Sequence, residues 1–267
     1  QRGATGRPNK MKQIWREGRW ISMGWLSISH GFTAEIMARQ GFDAMVVDMQ
    51  HGLTDMNDVW PMLQAISQTD TVPVVRVPWN DPATIMKALD FGAYGILVPL
   101  INTAEDAAKA VAACRYPPVG MRSSGPVRAV HYGGPDYLAK ANDEIVVMGM
   151  IETKEGLANL DAICAIPGVH AVFVGPNDLT TAMGIPNEYD HPRLIELLDP
   201  TKIHHRDPMR QRQRLALIMG DVDEGHPDLL LQADQLKLYA FLELGVQRSQ
   251  RLVQQQQLWT ADQRPGN

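Results

Sequence analysis

The chain has 267 residues, 45% of them hydrophobic and 21% charged, with a formal net charge of −5. These values fit a folded chain with a substantial core and offer no basic surface for nucleic acid or an anionic membrane. Two cysteines exclude a disulfide framework or a cysteine-rich zinc site. No apolar run approaches the roughly 20 residues of a membrane helix, and the expected setting is cytoplasmic.

The N-terminal stretch QRGATGRPNK lacks the apolar core of a secretion signal, and residues 1–19 are expected to form a flexible leader. Beyond it, short apolar runs alternate with amphipathic segments. The runs are 20–27 (WISMGWLS), 44–50 (AMVVDMQ), 72–77 (VPVVRV), 95–101 (GILVPLI), 145–152 (IVVMGMIE) and 171–178 (AVFVGPND). Most are near-continuously apolar, as strands buried on both faces of a parallel sheet must be. Helices are predicted between them. TAEIMARQ stops at Gly41, and DMNDVWPMLQAIS starts on the capping residue Asp55 but carries Pro61 inside. DPATIMKALDFG has Asp81 as cap and Pro82 at the first helical position. TAEDAAKAVAAC is capped by Thr103, and TKEGLANLDAICAI ends at Pro167-Gly168.

Strand–helix alternation repeated about six times means a doubly wound sheet or a (β/α)8 barrel. The stretch after the first run, ISHGFTAE, has no GxGxxG. Asp48, Arg76, Glu152 and Asp178 each fall within or at the end of a different run, which is where barrel enzymes gather their chemistry. The expected fold is therefore α/β, a (β/α)8 TIM barrel over residues 20–246. Its C-terminal end is atypical. Residues 215–221 (LALIMGD) offer a seventh strand and 232–245 the helix after it, whereas 247–267 form a polar, Gln-rich tail with no apolar run for an eighth strand.

Glu152 and Asp178 end two neighbouring runs. Two such carboxylates either cap the helices that follow or share a hard divalent cation that cancels their repulsion. In VVDMQHG, Asp48 and His51 form either an acid/base dyad or a capped turn. Arg76, inside an apolar run, needs an anionic partner, which is either a structural carboxylate or a substrate oxyanion. Residues 115–133 (RYPPVGMRSSGPVRAVHYG) have a loop composition and suit an active-site lid or a subunit contact. No P-loop, HExxH, GxSxG or catalytic-cysteine signature occurs.

FDAMVVDMQHG, VVRVPWNDPATIMKALDFGAYGILVPLINTAEDA, RYPPVGMRSSGP, MIETKEGLANLDAI and VFVGPNDLTTAMG, in that order, resemble the HpcH/HpaI aldolase family, the metal-dependent class II pyruvate aldolases. The resemblance runs from about Trp20 to about Arg193. It implies a (β/α)8 barrel, a Mg²⁺, Mn²⁺ or Co²⁺ site, and reversible cleavage of a 4-hydroxy-2-oxo acid to pyruvate and an aldehyde. By the same resemblance, Glu152 and Asp178 match the metal carboxylates. His51 matches the acid/base, Asp48 its partner, and Arg76 the group that holds the keto oxygen. Gly175 and Asn177 belong to the backbone that meets the pyruvate carboxylate. Gln50 stands where some members carry glutamate and Met150 where some carry glutamine, both near the substrate. The family also implies a homo-oligomer, a hexamer built as a trimer of dimers. Alternatives are an acyl-CoA lyase of the citryl- or malyl-CoA type and a catalytically silent barrel that binds a 2-oxo acid.

Overall fold

The computed structural model describes residues 6–198 and 216–218. In chain order the elements are α1 (Lys10–Arg16), β1 (Met23–Leu26), α2 (Gly31–Ala38), β2 (Ala44–Asp48), α3 (Met56–Ile66), β3 (Val72–Arg76), α4 (Pro82–Asp90), β4 (Gly95–Val98) and α5 (Ala104–Cys114). There follow α6 (Ala129–Gly133), α7 (Tyr137–Glu144), β5 (Val146–Ile151), α8 (Lys154–Ala158), α9 (Leu160–Cys164), β6 (Ala171–Val174), α10 (Pro176–Met183), α11 (Pro192–Leu198) and β7 (Ala216–Ile218).

The strands form one parallel sheet in strict sequence order, β1 to β7. Each of the six runs read from the sequence contains a strand, although the last also holds the start of α10, and the expected seventh run contains β7. Strands β2, β3, β4, β5 and β6 are buried at every position, which is why their sequences are continuously apolar. Helices start where the sequence provides caps. The Asp55 side chain accepts from the Asn57 and Asp58 N–H groups and completes a capping box with Asp58, and Thr103 does the same with Asp106. Asp81 caps α4 ahead of Pro82. Pro61 is accommodated in the second turn of α3.

The sheet is curled. Trp25 on β1 and Phe173 on β6 have ring centroids 5.5 Å apart. In a flat sheet these strands would stand about 24 Å apart, five spacings of about 4.8 Å. Among the described residues no helix is long and apolar enough to cross a membrane. The expected helix at 232–245, the tail at 247–267 and any eighth strand lie outside the described residues.

Two expectations are corrected. Part of the proposed leader is a docked helix. Asn9 caps α1 and donates through Nδ2 to the Tyr94 and Glu144 carbonyls, both at 2.9 Å, while Met11 and Ile14 enter the core at 0% and 2% exposure. Residues 115–133 are not a lid over the C-terminal ends of the strands. Arg122 is buried against Asp90 at 2.8 Å and the Tyr137 hydroxyl at 3.0 Å, and Arg128 donates to the Phe91 carbonyl and the Ser67 hydroxyl. Ser67, Asp90 and Phe91 end α3 and α4, so this segment packs at the N-terminal ends of the strands.

Candidate active site

Strands β2 and β3 pair in register from Ala44↔Val72 to Asp48↔Arg76, which sets the carboxylate and the guanidinium side by side at the C-terminal ends of both strands. Arg76 Nε donates to Asp48 Oδ1 at 2.7 Å and Nη2 donates to Oδ2 at 2.5 Å. Asp48 also accepts from Trp25 Nε1 at 3.2 Å and from the Gln50 and His51 backbone N–H groups at 2.9 and 3.3 Å. Its contact with His51 is thus to the backbone and not to the imidazole. The exposed His51 ring projects from a turn that Asp48 ties down. The turn closes at Gly52, where a Cβ would lie 2.3 Å from the Asp48 carbonyl oxygen, so only glycine fits.

Burial alone would raise the Asp48 pKa. The Arg76 hydrogen bonds and charge, the Gln50 N–H and the Trp25 indole overcome it and hold the carboxyl below its ordinary value. The Trp25 ring also lies under the guanidinium, 4.8 Å from centroid to Arg76 Cζ.

Glu152 follows β5 directly and is 2% exposed. It does not cap α8, because the Thr153 side chain takes that role. Its Oε1 accepts the Leu100 N–H at 2.8 Å, while Oε2 is buried with no hydrogen-bond partner among the described residues. Gly175 packs against it, and a Cβ there would lie 3.0 Å from Oε2. Burial raises the Glu152 pKa. The Leu100 N–H opposes the rise, the Asp178 charge adds to it, and the Arg76 and His51 charges oppose it. Glu152 therefore feels three of the other predicted site residues.

Asp178 is exposed in the first turn of α10, whose N-cap, Gly175, has no side-chain capping bond. Asn177, in the same turn, engages the Tyr189 hydroxyl through Oδ1. Gln50 is half-buried and its Oε1 lacks a partner among the described residues. No three His, Cys, Asp or Glu side chains gather as a metal-binding group among the described residues; the predicted donors are a pair. Two of the other histidines have local structural roles. His30 Nδ1 accepts the Phe32 N–H at the start of α2, and His170 Nδ1 accepts the Val147 N–H in the core.

Trp25 and Leu100 escaped the sequence reading. A tryptophan in an apolar run looks like core. Leu100 carries no chemical signal; its importance lies in its φ of 54°.

A curled parallel α/β sheet with charged residues gathered at the C-terminal ends of its strands is an architecture that places ligands at that edge. The chain belongs to the HpcH/HpaI aldolase/citrate lyase family, whose model matches residues 21–226 and so extends past Arg193, where the recognisable motifs stop. It is 46% identical over 176 residues to the hydroxypyruvate/pyruvate aldolase of Rhizorhabdus wittichii, covering 66% of this chain and 70% of that protein. It is 39% identical over 202 residues to the 4-hydroxy-2-oxo-heptane-1,7-dioate aldolase of Shigella flexneri, covering 74% of this chain and 76% of that one. A crystal structure of an HpcH/HpaI aldolase/citrate lyase family protein from Burkholderia cenocepacia superposes with a TM-score of 0.73 at 31% identity, over 93% of this chain and 98% of that one.

Proposed function

We propose that this protein is a divalent-metal-dependent pyruvate aldolase that cleaves a 4-hydroxy-2-oxo acid reversibly to pyruvate and an aldehyde. The names of the two relatives support the reaction class. The observation that carries the metal is the Glu152 carboxylate, pinned through Oε1, without a partner at Oε2 among the described residues, and within reach of the Asp178 charge. A buried carboxylate with a raised pKa and an orphaned oxygen fits a cation, and Mg²⁺ or Mn²⁺ typically takes one or two carboxylates plus substrate and water oxygens. Glu152 and Asp178 would hold Mg²⁺, Mn²⁺ or Co²⁺, which supplies Lewis-acid polarisation of the substrate's keto group.

The remaining steps belong to side chains and backbone. The backbone at Gly175 and Asn177 meets the pyruvate carboxylate with the Asn177 N–H as donor, since Pro176 has no N–H and that of Gly175 is given to the Ile151 carbonyl. Arg76, fixed by Asp48 and Trp25, donates its free N–H edge to the C2 oxygen, where negative charge develops. His51 takes the proton from the 4-hydroxyl as the C3–C4 bond breaks. The electron pair of that bond becomes the C2=C3 bond of the enolate while the carbonyl pair moves onto the C2 oxygen, and return of the proton held by His51 to C3 completes pyruvate. Asp48 acts as the positioning residue for both Arg76 and the His51 turn. Gln50 Oε1, without a partner among the described residues, faces the aldehyde portion. β1–β6 contain no lysine, so a Schiff base is not part of this scheme. The same reading takes the curled sheet as most of a (β/α)8 barrel, in a cytoplasmic homo-oligomer.

The test is pyruvate release, coupled to lactate dehydrogenase, over a panel of 4-hydroxy-2-oxo acids with Mg²⁺, Mn²⁺, Co²⁺ or EDTA. Pyruvate should appear only with metal and disappear in Glu152→Gln. Turnover that survives EDTA, or that survives in the variant, overturns the proposal. Turnover only of a coenzyme A thioester would establish the acyl-CoA lyase alternative. Metal-dependent binding of oxalate without turnover of any aldol would establish the silent barrel.

A further inference from the structure

Two non-glycine residues among those described have positive φ, Asn187 and Leu100. Asparagine tolerates that region; leucine pays a steric cost for it. The cost at Leu100 has a local cause. Strands β4 and β5 pair through Val98↔Gly149, and regular bonding resumes where the Ile101 N–H donates to the Met150 carbonyl at 3.1 Å. Between these points Pro99 and Leu100 leave the ladder. The left-handed turn at Leu100, with φ of 54°, aims its N–H at Glu152 Oε1, 2.8 Å away. The Leu100 side chain is only half-buried, so core packing does not account for the strain.

Glu152 is gripped on both sides. The Leu100 N–H fixes Oε1, and Gly175 leaves just enough room for Oε2. We propose that Leu100 is a positioning residue whose left-handed backbone, rather than its side chain, holds Glu152 in the rotamer that presents Oε2 to the metal. This inference rests on the assignment of Glu152 as a metal ligand.

Calorimetric titration of Mn²⁺ into EDTA-stripped protein tests it, with thermal melts of each variant in EDTA to confirm folding. Leu100→Gly and Leu100→Asn can keep the positive φ and should bind Mn²⁺ about as tightly as the native chain. Leu100→Val cannot, and its Kd should rise about 10–100-fold, the usual effect of losing an outer-shell partner. Leu100→Ala removes the side chain beyond Cβ and pays no more for the left-handed conformation than leucine does. It should bind as tightly as the native chain, and that comparison stands even if the valine variant does not fold. A side-chain role predicts the reverse, with valine mildest and alanine as weak as glycine. That order, or one Kd across a series that includes folded valine, overturns the inference. If the native chain binds no Mn²⁺, or Glu152→Gln binds it equally well, the metal assignment itself has failed.

Discussion

Replacing Asp48 by Asn removes one charge from a pair whose other member cannot relocate. The Arg76 side chain is 10% exposed and that of Asp48 1%. The amide keeps one oxygen for the donors around it, but presents an NH2 group to the remainder and leaves the guanidinium without a counter-charge. Losing one partner of a buried, hydrogen-bonded pair costs about 3–5 kcal/mol. For a domain of this size, about 2–4 °C of Tm accompanies each kcal/mol, so a fall of about 6–20 °C is expected. Urea unfolding followed by tryptophan fluorescence measures the loss directly, and the Asp48→Asn/Arg76→Met double variant completes a cycle. It should be more stable than the two single losses predict, by about 2 kcal/mol. The pH dependence has a definite sign. The folded-state pKa of Asp48 is lowered, so the pair's contribution is complete above the unfolded carboxyl value of about 4 and is lost as pH falls through the folded value. The native chain and the variant should therefore converge in acid. A variant within about 0.5 kcal/mol of native, with no coupling in the cycle, would refute the reasoning, since surface-like substitutions give that result.

Gly175→Ala should leave stability nearly unchanged, because φ −88° and ψ 97° suit alanine, while Mn²⁺ affinity falls about 10-fold or more as the new Cβ presses on Glu152 Oε2; undiminished affinity by calorimetry would mean that the close approach is irrelevant to the site. Met11→Ala should cost about 2–5 kcal/mol in urea, as truncation of a fully buried core residue does. A negligible change would return residues 1–19 to the status of a leader. His170 is pushed down to about 3, chiefly by burial and then by the Lys12 and Arg115 charges, so it is neutral when folded and takes up a proton on unfolding. Its contribution is complete above about pH 6.5 and erodes by about 1.4 kcal/mol per pH unit below that. His170→Gln should flatten the stability profile between about pH 6 and pH 4, and parallel slopes in the two proteins would contradict the assignment.

The strands were legible because burial on both faces leaves no room for polar residues in β2, β3, β4, β5 and β6. Helix starts were legible because Asp55, Asp81 and Thr103 are chemically specific caps. The helix α1 was not, since Met11 and Ile14 are too few to establish a period and its docking depends on Asn9 reaching carbonyls 85 and 135 residues away. The placement of residues 115–133 was deducible but missed. In a parallel sheet α5 carries the chain back from the C-terminal end of β4, so whatever lies between α5 and β5 must sit at the opposite end from the site. Asp48, Arg76 and Glu152 stood out as charges in apolar runs. That Asp48 serves the His51 turn through its backbone, and that Leu100 carries a functional N–H, are matters of backbone geometry that residue types do not encode.

Asp48 and Glu152 end strands of the same sheet, are both buried, and are set in opposite directions by their surroundings. Asp48 accepts five donors, one pair of them from a cation, and its pKa is lowered. Nothing remains on it for a ligand, so it is suited to hold other groups in place. Among the described residues Glu152 accepts one donor, the Asp178 charge reaches it, and its pKa is raised. An anion left in that condition is destabilising unless a cation arrives. Arg76 does not fill the role, because its charge is already committed to Asp48 at 2.5 and 2.7 Å. By satisfying one carboxylate completely, the fold leaves the other available, and this division of labour follows from the register that places Asp48 opposite Arg76 and the left-handed turn at Leu100 that brings its N–H to Glu152.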